Sequence, residues 1–147
     1  MLLFTAKCIS DIIHLCNGGD AIVLDFSSLI LNNKDPVYIQ ICQYVKKKIL
    51  LKHAETGTEL PSRRELAAIL NINPNTAQKA FKLMEDEGFI VTNTNVGSMI
   101  YAGDAIYAKI ELELTEAMVK DFINSAKAVN LSFKKIIELI TDKWEDN

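Results

Sequence analysis

The chain has 147 residues, 49% of them apolar and 24% charged, with a formal net charge of −3. That fits one soluble globular domain, or a domain with an appendage, and excludes a disordered or fibrous class. No uncharged apolar run approaches the roughly 20 residues that span a bilayer, and no basic residue precedes the apolar start MLLFTA, so neither a membrane span nor a signal peptide is expected.

The first 34 residues are the least regular. Ile9, Ile12, Ile13 and Cys16 have helical spacing up to Asn17-Gly18-Gly19-Asp20, a strong turn signal, and Ala21 to Phe26 then read as a short strand. This extension either packs on the rest or hangs loose; sequence alone leaves both open. The three cysteines, Cys8, Cys16 and Cys42, lack C-x-x-C spacing, which argues against a disulfide framework or a zinc site and for a reducing cytoplasm. His14 near Cys8 and Cys16 is read as packing rather than as a metal ligand, and no cofactor is called for.

Asp35-Pro36 marks the next start, with Asp35 as N-cap and proline at the first helical position. Val37, Tyr38, Ile41, Cys42, Val45, Ile49 and Leu50 make its apolar face, and Gln40, Gln43, Lys46, Lys47 and Lys48 are expected on the other side. His53 to Thr58, with Gly57, form a loop in which His53 faces solvent.

From Leu60 to Gly88 the sequence predicts two short helices joined by a tight turn. Ser62 and Glu65 have capping-box spacing, and Leu66, Ile69 and Leu70 give an apolar stripe. Arg63 and Arg64 sit at the positively polarised helix end, a placement that suggests an anionic partner. The second helix opens at Asn73-Pro74, an N-cap followed by proline, and buries Ala77, Ala80, Phe81 and Met84. Left outside are Asn75, Thr76, Gln78, Lys79 and Lys82, a face of amides, a hydroxyl and cations with no acid among them; acids return in Glu85, Asp86 and Glu87. Amides can bond adenine edges and cations can bond phosphate or guanine, whereas a carboxylate there would be repelled by a nucleic-acid backbone.

Gly88 suits a left-handed C-cap. Residues 89–92 and 98–101 are β-rich and flank the turn-prone Asn93–Gly97, so a hairpin follows the three helices. The fold class expected is mainly α with a small β-hairpin: a winged helix-turn-helix over residues 35–103, followed by a helical tail over 104–147. In residues 104–113 Ile106, Ala108, Ile110 and Leu112 alternate as in a strand while Ala, Lys and Glu favour a helix, and a connecting helix is the preferred reading; Thr115 is read as an N-cap, Val129-Asn130-Leu131 as a break, and Ser132 as the N-cap of a last helix. The tail's apolar residues, Met118, Phe122, Ile123, Phe133, Ile136, Ile137, Ile140 and Trp144, exceed what two short helices can hide between themselves, so they need either the winged domain or a second copy as cover, and the second copy is preferred.

Charge is unevenly spread. Between Val37 and Lys82 eight cations stand against three acids, a balance of +5, which leaves −8 for the remainder of a chain whose total is −3. A basic segment inside an acidic chain is an electrostatic footprint for a polyanion.

Taken together, Pro36-Val37-Tyr38-Ile39-Gln40-Ile41, Leu60-Pro61-Ser62-Arg63-Arg64-Glu65-Leu66-Ala67, Asn73-Pro74-Asn75-Thr76 and Leu83-Met84-Glu85-Asp86-Glu87-Gly88-Phe89-Ile90 resemble the winged helix-turn-helix of the GntR family of bacterial transcriptional regulators, over about half of the chain. The short two-helix tail looks like the YtrA subfamily, in which it serves dimerisation; the about 45 residues after Tyr101 are too few for an effector-binding domain of the larger members. The resemblance implies phosphate contacts for Ser62 and Arg64, base or backbone contacts for Asn75, Thr76 and Lys79, and a wing approach at Gly97. Arg63 stands where the family pattern usually has an acid, which should add phosphate attraction, and the wing tip around Asn95 lacks the usual arginine.

The resulting expectation is a homodimeric, sequence-specific DNA-binding regulator that represses by occupying a palindromic operator, with DNA contacts from Ser62, Arg63, Arg64, Asn73, Asn75, Thr76, Gln78, Lys79, Lys82, Asn95, Gly97 and Ser98. The alternative is a protein-interaction adaptor that keeps the winged helix as a scaffold without binding DNA. An enzyme ranks last, because His14 and His53 are the only histidines and no nucleophile motif accompanies them.

Overall fold

A helix leaves its first backbone N–H groups without partners, so it starts where a side chain can satisfy them. The computed structural model describes residues 22–145; the helical run at Ile9–Cys16, the Asn17–Asp20 turn and the Cys8, His14 and Cys16 set lie outside the described residues. The described elements are α1 (Val37–Leu50), α2 (Arg63–Leu70), α3 (Pro74–Glu87), β1 (Ile90–Asn93), β2 (Gly97–Ile100), α4 (Asp104–Ala128) and α5 (Phe133–Glu145). This is the mainly helical winged helix-turn-helix with a single hairpin that the pattern predicts.

The caps of the helix-turn-helix form as expected. Ser62 Oγ accepts from the Glu65 N–H at 3.2 Å while the Glu65 carboxylate accepts from the Ser62 N–H at 2.8 Å. Asn73 Oδ1 accepts from the Asn75 N–H at 2.8 Å, with Pro74 at the first helical position. Between them Asn71 ends α2 in the left-handed conformation (φ 50°), which asparagine tolerates better than most residues. Gly88 ends α3 at φ 85°, where a side chain would be strained.

α3 is the centre of the domain, packed on α1, α2 and β1. Ala77, Ala80, Phe81 and Met84 have no exposed surface, and they meet Ile41, Val45, Ile49 and Leu66 in the same core. The strands pair antiparallel in the register Ile90 with Ile100 and Thr92 with Ser98. The loop before α2 lies along β2, through Leu60 N–H to Ser98 O and Ile100 N–H to Thr58 O, both 2.8 Å. On its other side Glu59 pairs with Val23, so the N-terminal segment adds an outer rung to the wing.

That segment belongs to the core. Leu24 and Phe26 are buried, and the Phe26 ring lies 5.3 Å from that of Tyr44. Tyr44 donates to Asp25 O at 2.8 Å, and the Gln40 amide bonds both the N–H and the C=O of Asn32. Residues 22–34 therefore pack on α1, and two residues of α1 depart from the simple amphipathic reading, only the first because of this segment. Gln40 and Lys46, expected on the solvent side of α1, are buried. Gln40 faces the strapped segment, and Lys46 pairs with Glu87 at 2.5 Å beside the Phe89 ring.

Three further expectations are corrected. Asp35 does not cap α1: Pro36 occupies the cap position with no side-chain bond, and the Asp35 carbonyl accepts from Gln40 instead. Ile69, expected in the stripe of α2, is about half exposed: Leu66 alone of that row is fully buried, while Ile69 lines an open groove with Val23 and Val96. Thr115 starts no helix. It lies inside the continuous 25-residue α4, where its hydroxyl donates back to Glu111 O at 2.7 Å, a bond that satisfies threonine without ending the helix.

The break after α4 is where the pattern put it, with Asn130 left-handed at φ 56° and Ser132 Oγ accepting from Lys135 N–H at the start of α5. The chain divides into two compact units between Ile110 and Glu111. Among the described residues no helix is long and apolar enough to cross a membrane.

Two consequences are measurable. Phe26→Ala should cost about 3 kcal/mol in denaturant unfolding; a loss below about 1 kcal/mol would show that residues 22–34 are not part of the cooperative core. Hydrogen bonds from the Ser62 hydroxyl, and then from its backbone N–H, hold the Glu65 carboxyl below its ordinary value of 4.5. Since the folded value is the lower one, the capping contribution is complete above pH 4.5 and is lost as pH falls through the folded value. Glu65→Gln should therefore flatten the acid limb of the melting-temperature profile below pH 4.5 relative to the parent chain.

Candidate nucleic-acid interface

Two helix starts and a hairpin tip supply the polar residues singled out by sequence. On α3, Asn75, Gln78, Lys79 and Lys82 are exposed, and their spacing of three and four residues sets them in one row opposite the buried alanines. Thr76 is half-buried beside them. Asn73 is exposed, but its side-chain oxygen is engaged as the cap, so its contribution is to hold Asn75 in place. At the start of α2, Ser62 and Arg64 are exposed, with the Ser62 hydroxyl committed to the capping box.

Arg63 behaves differently from its neighbour. Its guanidinium donates to Glu85 Oε1 at 3.1 Å and lies 4.8 Å from the centre of the Phe81 ring, leaving the side chain about one-third exposed. Glu85 in turn accepts from the Thr92 hydroxyl, which shares a 2.7 Å bond with Ser98 Oγ. Ser98, included among the candidate contacts, is buried at 6% exposure with its hydroxyl engaged by Thr92. The wing tip, Thr94, Asn95, Val96 and Gly97, is exposed; Gly97 has φ +100°, a conformation other residues rarely adopt.

The basic footprint is consequently narrower than a count of lysines and arginines suggests. Lys46 and Arg63 are neutralised by Glu87 and Glu85, and Lys48 and Lys52 lie over the rings of Tyr44 and Tyr107. Lys47 is exposed on α1, and what stays open beside the amides on α3 and at the start of α2 is Arg64, Lys79 and Lys82. Sequence reading missed the acids at the end of α3 as partners. The available signal was that two of them, two residues apart, follow an acid-free helix face and precede a strand, a position from which both can reach back into the domain.

Among the described residues no group of three or more histidine, cysteine or acidic side chains could hold a metal ion. The surface offers hydrogen-bond donors and acceptors, cations and a positively polarised helix end, the chemistry of binding to phosphates and base edges.

Residues 37–100 match the bacterial regulatory proteins of the gntR family. The chain is 36% identical over 109 residues to the HTH-type transcriptional repressor YtrA of Bacillus subtilis, covering 73% of this chain and 83% of that one. Among solved structures it resembles a GntR family transcriptional regulator from Listeria monocytogenes, with a TM-score of 0.67 and 27% identity over 76% of this chain and 98% of the other. It also resembles a transcriptional regulator from Oenococcus oeni, with a TM-score of 0.64 and 26% identity over 81% and 99%. A winged helix-turn-helix with this capped helix pair, joined to a two-helix tail and close over most of its length to YtrA, belongs to the GntR family of bacterial transcriptional regulators, in its YtrA-like branch.

Proposed function

We propose that the protein is a sequence-specific DNA-binding repressor that occupies a palindromic operator as a homodimer in the cytoplasm. The observation that carries this reading is the row Asn75, Gln78, Lys79 and Lys82 on α3, exposed, free of acids and held outward by four fully buried residues on the opposite side. Asn75 and Gln78 would bond base edges in the major groove, with Thr76 beside them; Lys79 and Lys82 would bond phosphate or guanine; Ser62 and Arg64 would grip the backbone at the start of α2. Asn95 and Gly97 would bring the wing tip against sugar and phosphate. Repression is supported by the relative YtrA, itself named a repressor.

The second unit supports the dimer. Met118, Phe122, Ile123, Phe133, Ile137, Ile140 and Trp144 are all exposed, with Ile136 half-buried. Met118, Val119, Phe122, Ile140 and Trp144 converge on a groove of about 670 Å³. An apolar surface of this extent is costly in water, and covering it with a second copy gives the two-fold arrangement that reads two half-sites.

A mobility-shift assay against the DNA upstream of its own coding region should show a specific complex whose affinity falls steeply with salt; no shift at moderate salt would defeat the DNA-binding reading in favour of an adaptor. Arg64→Ala should weaken all sequences alike and lower the salt slope by about 1, whereas Asn75→Ala should cost about 1–3 kcal/mol of discrimination and leave the slope unchanged. In sedimentation, the parent chain should run as a dimer and Phe122→Asp as a folded monomer with weakened operator binding; a parent chain that is monomeric at tens of micromolar would remove the dimer from the proposal.

A further inference from the structure

A cation at the first position of a helix opposes the helix dipole, so Arg63 needs a compensating partner. It finds two on α3: Glu85 Oε1, 3.1 Å from its terminal nitrogen, and the face of Phe81, 4.8 Å away. Its Nε has neither exposed surface nor a partner among the described residues, so that edge of the guanidinium is also turned into the protein. The oxygen that holds Arg63 is the same one that accepts from the Thr92 hydroxyl, and Thr92 is tied across the hairpin to Ser98. One carboxylate oxygen on α3 thus joins the start of α2 to the middle of the wing.

We propose that Arg63 is a positioning residue rather than a phosphate contact: with Glu85 and Thr92 it fixes the relative angle of α2, α3 and the wing, and through that angle the protein's discrimination between DNA sequences. The inference rests on the proposed DNA-binding face. A guanidinium is suited to the task because its planar fork can stack on a ring and donate to a carboxylate at once, which an ammonium cannot. The two possible roles predict opposite signs. A phosphate grip is a charge, so lysine would replace it, its loss would weaken every sequence, and removing the competing acid at 85 would strengthen binding. A clamp is a geometry, so lysine would not replace it and removing the acid would do harm.

The test compares Arg63→Ala, Arg63→Lys and Glu85→Gln by titrating operator and scrambled duplexes over a range of salt, with melting curves to confirm that each variant is folded at the assay temperature. The expected result is a loss of about tenfold in the ratio of operator to scrambled affinity for all three, the equivalent of one mismatched base pair, with an unchanged salt slope and unchanged scrambled-DNA affinity. A variant that merely unfolds in part would lower both affinities together. Arg63→Lys binding like the parent while Arg63→Ala loses about one unit of salt slope would overturn the clamp and restore the phosphate grip. If the parent chain shifts no DNA, the DNA-binding reading itself has failed, and the clamp is judged by melting alone. Arg63→Ala and Thr92→Val, which share Glu85, should then shift the melting temperature non-additively, and additive shifts would overturn it.

Discussion

The burial of one side of α3 is the constraint from which the polar surface follows. Ala77, Ala80, Phe81 and Met84 have no exposed surface, and Phe81 and Met84 each contribute about 1.5–3 kcal/mol by leaving water. A helix held by such a row has no rotational freedom left. Turning it by one residue would bury Gln78 or Lys79 in place of an alanine, and an unpaired buried polar group costs about 1–3 kcal/mol or more. The outward direction of Asn75, Gln78, Lys79 and Lys82 is therefore a consequence of the core. Ala77 and Ala80 matter for their smallness, since they let α3 sit close against α1 and α2 while the single aromatic ring fills the space between.

The same core extends beyond the segment shared with the wider family. Residues 37–100 carry the family match, yet Leu24 and Phe26 are as buried as the helix residues. Val23 adds a rung outside Glu59, and Gln40 and Tyr44 bind the chain that leads from there into α1. In a small three-helix domain with a two-stranded sheet, each added buried aromatic is a sizeable fraction of the total, because a short chain has little interior to draw on. The arm also shields the outer side of the loop before α2, whose backbone would otherwise present open hydrogen-bonding groups next to the wing.

What was legible in the sequence was local. The Ser62 and Glu65 box, the Asn73-Pro74 start, the Gly88 stop and the Asn130 break each lie within a few residues of the backbone groups they satisfy, so their patterns are written in consecutive letters. The α3 core row was legible because its period is that of the helix itself. Asp35 and Thr115 show the limit of the same logic, since a capping residue type is necessary for a cap and not sufficient: Asp35 gave its carbonyl to Gln40, and Thr115 bonded back into an uninterrupted helix. The partners of Lys46 and Arg63 were not legible, because Glu87 and Glu85 reach them across the fold and charge spacing along the chain carries no record of that distance. Ile69 and Gln40 exchanged their expected environments for a related reason: amphipathic period tells which residues share a side, while what covers that side is decided by other segments.

The pairing of those charges also bears on how the protein can bind. Each pair is partly exposed or offset by the cost of burying ions, so neither adds much to stability; their effect is to rearrange sign. Glu85 and Glu87, which would otherwise repel phosphates from the end of α3, are paired, and of the cations that pair with them Lys46 is buried and Arg63 about one-third exposed. Beside the amides this leaves Arg64, Lys79 and Lys82 open. With about 0.9 counterions released per neutralised phosphate, these three cations by themselves give only a modest electrostatic hold. Under the proposed function, the remaining affinity would come from base-edge contacts and from a second copy. In the proposed homodimer the exposed apolar tail would double that surface, so the economy of charge on α3 and the excess of apolar surface in the second unit would be two parts of one solution.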